Sequence, residues 1–438
     1  SDYSNAVGAF PGNQSLNTDR TIKEDVTALY TQVSLQGDLG NMPINVLAGV
    51  RYESTDVKTS AVFALPEELI WTSNNDFTLN TSGAVPVAVN ASYDHLLPSI
   101  DIDLEVVEDV MVRMSMSKTI ARAAYDQLSP NTGGYGAPNS PGVLGGGAIT
   151  QGTANAGNPA LLPLESSNFD LSVEWYFDDD SYVSAGFFEK RVANFTGIES
   201  SQETLFGLTN PSSGPRARTA LAQVQTAGTD VTDTNVFSQV AANQLGEDVN
   251  SRTSNGWEIA DGGDIVNNAD DDLLIFNVSR PVNNKEAALH GFEFAVQHFF
   301  SDTGFGMQAN YTIVRGDVGF DVTASPSVAQ FALLGLSDSA NLVLMYEKHG
   351  FSGRVAYNWR DDFLNDANYS GRNGPEFTDS FAQLDFSVGY AVTEQLTITF
   401  DGLNITEEDA FTYARSENQH HRLDILGARY SLGARYNF

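Results

Sequence analysis

A run of acidic residues near the middle of the chain is the clearest candidate for metal chemistry. Its carboxylates belong to Asp261, Asp264, Asp270, Asp271 and Asp272. Calcium prefers hard oxygen ligands of this kind when a loop supplies them. The run lacks the complete spacing of an EF-hand, so two interpretations stay open. Either calcium binds in the loop 258–272 and stiffens it, or the run is a solvated acidic segment.

Three large aromatic residues stand in otherwise polar segments and could bind a ring-shaped ligand. They are Trp71, Tyr135 and Trp257. The faces of such side chains are suited to stacking on sugar rings or on an aromatic chelator. Each residue could equally pack its own loop, so the sequence leaves both roles open.

No catalytic constellation stands out. The sequence has no Gly-x-Ser-x-Gly elbow, no His-Glu-x-x-His motif and no phosphate loop. The glycine-rich segment 132–147 follows a predicted strand, but no amphipathic helix comes after it, so we interpret it as a flexible loop. His420 and His421 are adjacent, and on a strand they would face opposite sides, which favours solvated residues over a metal site. We therefore predict that the protein is not an enzyme and needs no cofactor, with calcium as the one possible ion.

Composition excludes several classes of protein. The chain has 438 residues, a net charge of −33 and no cysteine. The negative charge repels phosphate backbones and so excludes nucleic acid as a partner. The lack of cysteine excludes a disulfide framework, a thiolate zinc site and a cysteine nucleophile. No segment approaches the roughly 18 to 20 unbroken apolar residues of a spanning helix, which excludes a helical membrane protein.

Strict two-residue alternation organises the chain. In the segment 426–438, for example, apolar side chains alternate with arginine, serine and glycine, so all the apolar groups lie on one face of a strand. The phase slips at Phe187 and Phe188, which predicts a bulge there. The pattern predicts thirteen strands, near 22–36, 42–60, 94–106, 109–122, 165–178, 181–197, 284–301, 304–317, 337–348, 350–364, 380–391, 394–405 and 422–438.

The connections between these strands alternate regularly between short and long. Short turns are predicted near Gly40, Glu108, Asp179, Asp302, His349 and Thr393. Long polar connections are predicted at 61–93, 123–164, 198–283, 318–336, 365–379 and 406–421. A soluble sandwich has no reason to place every long loop at one end of its sheet. Outer-membrane barrels do so, with short periplasmic turns and long extracellular loops. We therefore predict an all-β fold, a transmembrane antiparallel β-barrel.

Aromatic residues support this interpretation because they gather near the short-turn end, as an interfacial girdle requires. They are Trp175, Tyr176, Phe177, Phe299, Phe300, Tyr390, Tyr436 and Phe438. Since a long connection precedes the last strand, Phe438 ends at the periplasm. Counting back makes residues 1–21 part of an extracellular loop, and thirteen is an odd number, whereas bacterial barrels have even numbers of strands. We therefore expect the amino-terminal part of the barrel to be absent from this chain.

Several segments resemble the barrel of TonB-dependent receptors of proteobacteria. They read TIARAAYDQLSP at 119–130, GNPALLPLESSNFDLSVEWYF at 157–177, HGFEFAVQHFF at 290–300, DGLNI at 401–405 and YNF at 436–438. The resemblance extends from about residue 22 to the end, with only the long loops outside it. The terminal SLGARYNF is also similar to the signal by which assembly machinery recognises outer-membrane barrels.

The resemblance implies a 22-stranded barrel whose lumen is closed by an amino-terminal plug, of which residues 1–438 would supply strands 10 to 22 without the plug. It further implies location in the outer membrane, contact with its lipid and lipopolysaccharide, and uptake of a scarce nutrient such as a ferric siderophore, a cobalamin or an oligosaccharide. Energy would come from a TonB-type transducer that pairs with the plug. Two alternatives remain: a complete small passive porin of 12 or 14 strands, and a soluble acidic β-rich surface protein.

A partial barrel has two long unpaired edges, which are costly in lipid and prone to aggregation. We therefore expect residues 1–438, produced without other barrel segments, to aggregate or stay unfolded in detergent. Size-exclusion chromatography and planar-bilayer conductance would measure this. A monodisperse preparation that forms channels would contradict the expectation.

Overall fold

One large antiparallel sheet dominates the protein. The computed structural model describes residues 19–145, 147–245, 264–325, 330–369 and 374–438. No helix within these residues is long and apolar enough to cross a bilayer.

Thirteen strands pair in chain order and form the wall of the sheet, in the number that the sequence predicts. They are β1 (Asp19–Leu39), β2 (Met42–Ser73), β3 (Asp76–Val107), β4 (Val110–Ala121), β7 (Leu164–Asp178), β8 (Ser181–Thr209), β10 (Leu273–Phe299), β11 (Phe305–Gly316), β12 (Ser339–Lys348), β13 (Phe351–Arg360), β16 (Phe381–Ala391), β17 (Leu396–Leu403) and β20 (Arg429–Tyr436). Every neighbouring pair in the wall is antiparallel. Within the described residues, β1 and β20 each pair on one side only, so the wall does not close.

Seven shorter strands belong to the long connections. They are β5 (Thr132–Gly136), β6 (Gly152–Ala156), β9 (Ile265–Val266), β14 (Phe363–Asp366), β15 (Glu376–Thr378), β18 (Ala410–Tyr413) and β19 (His420–Asp424). Of the first three, β6 pairs with β10, β9 pairs with β2, and β5 pairs with β6. The last four form a separate sheet in the order β14-β15-β18-β19.

Six short connections, at 40–41, 108–109, 179–180, 300–304, 349–350 and 392–395, lie together at one rim, called the turn end here. The opposite rim is the loop end, and it also carries the tight turn 74–75 between β2 and β3. At the turn end the backbone takes left-handed conformations, with φ of 64° at Asp109 and 55° at His349. Such values are uncommon outside glycine and are tolerated best by residues such as Asp and His. All eight aromatics predicted for a girdle have exposed side chains near this rim.

The two faces of the wall differ as the alternation predicts. Val388, Phe400 and Leu432 follow one another across three strands with exposed side chains. On the opposite face of the same strands, the hydroxyls of Ser387 and Ser431 donate to the Asp401 carboxylate at 2.6 and 3.1 Å. One face of the wall is therefore apolar and uncovered, and the other is hydrogen-bonded and polar.

The structure contradicts the predicted long loop 61–93. Strands β2 and β3 continue through it as one hairpin, with register from Asp76 beside Ser73 to Leu104 beside Ile44. In this region Ala61, Phe63, Leu69 and Trp71 of β2 are buried, whereas β3 keeps exposed residues such as Asn80 and Val89. The predicted bulge also lies elsewhere: Phe187 and Phe188 pair regularly, and the register breaks between Val192 and Phe195, where Asn194 has a φ of 63°.

Two helices occupy the connection between β8 and β10, where the sequence analysis predicts only loop: α1 (Pro215–Thr226) and α2 (Asp233–Leu245). Pro215 opens the first helix, where its missing N–H is not needed. Ala217, Ala220 and Val224 then fall on one buried face. The Thr232 hydroxyl accepts the Asn235 N–H at 3.1 Å and caps the second helix.

The main buried core lies at the loop end. Trp71 on β2 is fully buried together with Ile265 and with side chains of both helices, including Ala217 and Val236. Three further short helical turns, of 3-10 type, occupy Gly142–Leu144, Gly147–Thr150 and Ser301–Thr303. We call Trp71, Ile265 and the two helices the loop-end module, and it packs against the β2–β3 hairpin.

We expect Trp71→Ala to destabilise this module by about 3–5 kcal/mol, because it removes the largest buried side chain of the core and leaves a cavity. Hydrogen exchange in the folded protein should show lost protection in both helices. Val231→Ala, which shortens an exposed side chain between the helices, serves as control and should change stability by less than about 0.5 kcal/mol. Equal protection in the two variants would argue against Trp71 as the centre of this core.

Candidate ligand-binding site

The three predicted ligand-stacking aromatics have different surroundings. Trp71 has no exposed surface. Its ring stacks on Phe77 at 5.7 Å and meets the edge of Phe237 at 5.2 Å, and its indole N–H donates to the Asn74 carbonyl at 2.8 Å. This placement favours the packing role over the ligand-stacking role, because neither face of the indole is open. Trp257 lies outside the described residues.

Tyr135 is half-buried on β5, beside the glycine-rich segment. Its hydroxyl donates to the Thr132 carbonyl at 2.7 Å, and its ring meets Phe206 and Phe276 edge-on at 6.0 and 6.3 Å. Burial raises the pKa of the Tyr135 phenol to about 12, so the group stays neutral and can act as a donor at physiological pH. Its ring helps to fix β5 against the wall.

Two arginines form ion pairs with carboxylates of the acidic run. The Asp271 side chain is buried and accepts two hydrogen bonds from the Arg216 guanidinium, at 2.7 and 3.1 Å. Asp272 pairs with Arg218 at 2.6 Å. Asp264 and Asp270 are exposed, and Asp261 lies outside the described residues. In the part of the chain that the structure describes, no three His, Cys, Asp or Glu side chains are grouped as metal ligands.

A hollow of about 570 Å³ lies on the apolar face of the wall near the turn end. Its walls come from exposed side chains that include Phe305, Leu344, Val355 and Val388. The bare Gly353 leaves the space open, since nothing lies within 4 Å of a Cβ placed there. An apolar hollow on this face suits hydrocarbon and offers little to a polar solute.

A second hollow, of about 330 Å³, lies under the loop between β11 and β12. It contains carboxylates that already have partners. Arg315 donates to Asp338 at 3.0 Å, and this hydrogen bond holds the pKa of the Asp338 carboxyl below its usual range. Asp362 accepts the Tyr413 hydroxyl at 3.3 Å. These hydrogen bonds link the loops around the hollow and leave the two carboxylates already bonded to protein side chains.

A third hollow opens at the loop end between β1, β5, β6 and the β8–β10 pair, and we call it the mouth cavity. Its volume is about 360 Å³. Its lining is mostly polar and comes from Arg20, Asp126, Gln127, Ser129, Asn131, Gly133, Gly134, Asn155, Ala156, Gly157, Ile198 and Pro281. The sequence analysis interprets part of this lining as flexible loop and selects none of these side chains.

Backbone hydrogen bonds hold the rim of the mouth cavity in place. The N–H of Gly157 donates to the Asn131 carbonyl at 3.1 Å, and the N–H of Asn158 donates to the Gln127 carbonyl at 2.7 Å. The Asn158 amide donates across to the Pro281 carbonyl at 3.0 Å. A side chain at Gly157 would not fit, since a Cβ there would lie 2.1 Å from the Ser129 carbonyl oxygen. Both halves of the loop between β4 and β7 are thus tied to each other and to the wall.

The polar side chains of the mouth cavity are only partly committed to one another. Ser129 donates to the side-chain oxygen of Asn131, which leaves the Asn131 amide nitrogen as a donor. Within the described residues, the side chains of Arg20, Gln127 and Asn155 make no hydrogen bond. The mouth cavity therefore presents amide donors and acceptors, one carboxylate and one guanidinium to whatever enters it.

The wall, its two faces and its connections together define the structural class of the protein. A chain-ordered antiparallel wall with one apolar uncovered face, one polar face, and long connections gathered at one rim is the architecture of a transmembrane β-barrel wall. Residues 1–405 match the family described as TonB dependent receptor-like, beta-barrel. The chain belongs to this family, whose members are receptors and transporters.

Three solved structures are similar to this chain. The siderophore receptor PirA from Acinetobacter baumannii is 12% identical with a TM-score of 0.50, over 95% of this chain and 55% of that chain. The ferric enterobactin receptor from Pseudomonas aeruginosa, in complex with BCV-L6, is 10% identical with a TM-score of 0.49, over 95% and 54%. The ferric-catecholate import receptor Fiu from Escherichia coli K12 is 10% identical with a TM-score of 0.48, over 96% and 55%. The chain thus spans about half the length of these proteins. No curated protein sequence matches it.

The pairing of Asp271 with Arg216 gives a test of the acidic run. We expect Asp271→Asn to weaken local structure around the start of α1 by about 1–2 kcal/mol, because the buried carboxylate that accepts two hydrogen bonds from the partly exposed Arg216 guanidinium is replaced by a neutral amide. The neighbouring Asp270→Asn is the matched control, since Asp270 is exposed, and should cost less than about 0.5 kcal/mol. Hydrogen exchange of residues 214–220 in the full-length receptor would measure both.

The same hydrogen-exchange experiment, repeated with added calcium, tests whether the acidic run binds this ion. If the run holds calcium, adding the ion should raise protection in the wild type, and Asp270→Asn should abolish the gain. That result would contradict the interpretation that the acidic run is a structural segment in which Asp271 pairs with Arg216.

Proposed function

We propose that this chain forms part of an outer-membrane receptor that takes up a scarce nutrient with energy from a TonB-type transducer. The observation that carries the proposal is the wall itself, in which every long connection lies at one rim and the apolar face is uncovered. An exposed apolar face of this extent is explained by lipid. Membership of the TonB-dependent receptor family supplies the energised mechanism.

The proposed setting gives each surface a partner. The uncovered apolar face would contact outer-membrane lipid, with lipopolysaccharide around the loop end and the exposed aromatics of the turn end at the periplasmic interface. The polar face would line the lumen, where a plug supplied by other residues would contact it. The transducer would act through that plug rather than through this wall.

The nutrient would enter at the loop end, where the mouth cavity opens. The two substrate classes in view are an oligosaccharide and a ferric siderophore. The solved neighbours are siderophore receptors by name, but at 10–12% identity they share only the fold with this chain. The choice between the classes therefore depends on the chemistry of the cavity.

An epistasis experiment tests the proposed function. The gene of the complete receptor and the transducer gene would be deleted singly and together, and growth would be measured with ferric enterobactin as sole iron source or an oligosaccharide as sole carbon source. We expect at least one source to support growth only when both genes are present, with the double deletion no worse than either single one. A passive porin of 12 or 14 strands would instead keep its uptake without the transducer, and that outcome would contradict the proposal.

A further inference from the structure

We propose that the mouth cavity binds a neutral polyhydroxylated solute, one sugar unit of an oligosaccharide, rather than a ferric catecholate. This inference rests on the proposed function and names the substrate class and the side chains that would recognise it. Its basis is the cavity's size, its hydrogen-bonding groups and its charge.

The size of the mouth cavity limits what it can enclose. A volume of about 360 Å³ is near the lower end of the range of roughly 300–1,000 Å³ that ligand cavities span. A single sugar ring with the edge of the next fits such a space. A ferric complex with three chelating arms is bulkier and nearly spherical, and fits a cavity near the lower end of that range less well.

The hydrogen-bonding groups match hydroxyls. A side-chain amide offers both donors and an acceptor, and a hydroxyl also donates and accepts, so each amide can bind a hydroxyl in either sense. Gln127 and Asn155 are free to do so within the described residues, and Asn131 retains its amide nitrogen. Ile198, whose side chain is 68% exposed, gives an apolar surface beside them that suits the C–H face of a sugar ring, and the buried Pro281 lies behind it.

The charge of the mouth cavity disfavours a polyanion. Asp126 and Arg20 are its two charged lining residues, so their charges cancel. The surrounding protein carries 56 acidic residues against 23 basic ones, and basic side chains of the wall such as Arg113, Lys118 and Arg122 are already paired with carboxylates. A multiply charged anion would be repelled by this field, whereas a neutral sugar would not be.

The test uses the full-length receptor in detergent with four defined probes: maltotriose, xylotriose, chitotriose and ferric enterobactin. Isothermal titration calorimetry would measure their dissociation constants. We expect at least one trisaccharide to bind and ferric enterobactin not to bind. Asn155→Ala and Gln127→Ala should each weaken trisaccharide binding about tenfold, the effect expected for one lost hydrogen bond to a ligand.

Asn139→Ala is the matched control, because Asn139 is an exposed asparagine of the same loop that does not line the mouth cavity. It should leave trisaccharide binding unchanged. Heat-modifiable migration on gels would verify that each variant is a folded barrel, and the two cavity variants on different segments guard against a folding defect in one of them.

Three outcomes would overturn the inference: no trisaccharide binds, Asn139→Ala weakens binding as much as Asn155→Ala, or ferric enterobactin binds and loses affinity in Asn155→Ala. The third would replace the substrate class and leave energised uptake standing. Conversely, intact trisaccharide binding with uptake that does not depend on the transducer would remove the proposed function and keep the cavity assignment. The two failures are thus distinguishable.

Discussion

Backbone hydrogen bonding is the constraint on which the rest of this structure depends. A chain that meets lipid must satisfy every N–H and C=O group internally, and a sheet does so only through neighbouring strands. The thirteen wall strands satisfy it by pairing each with the next along the chain. Because antiparallel neighbours alternate in direction, successive connections must fall at opposite rims. Short turns then collect at one rim, and the other rim is free to carry large insertions.

Pairing along the wall also decides where a hydrophobic core can form. The wall has an uncovered apolar face, represented by Phe400 and Leu432, so apolar side chains there do not pack into an interior. Buried apolar residues concentrate instead at the loop end, where Trp71, Phe276 and Val236 have no exposed surface. The protein therefore has an inverted arrangement: lipid would take the place of a core along the wall, and a water-facing module has the dense packing of an ordinary domain.

Charge has a different role in each region. Along the polar face, arginine and lysine side chains pair with carboxylates of neighbouring strands, as Arg113 does with Asp103 and Glu174. At the loop end, Arg216 pairs with Asp271 and Arg218 pairs with Asp272, and these ion pairs attach the start of α1 to the acidic run. In the mouth cavity, the side-chain amides of Gln127, Asn131 and Asn155 outnumber the two charged groups. The proposed recognition of a neutral solute rests on that distribution.

The sequence alone determined the wall, and the tertiary structure decided the loop end. Alternation and turn spacing depend on each strand and its immediate neighbours, which is why β20 and the short turn at His349 could be predicted from local pattern. Trp71 could not, because its burial depends on α1 and α2, more than a hundred residues further along the chain. The same holds for the hairpin through 61–93, where Ile70 and Trp71 pair with Ile265 and Val266 from almost two hundred residues further along the chain. The mouth cavity joins β1, the loop before β7 and the β8–β10 pair, and a space between such distant segments exists only once they have packed.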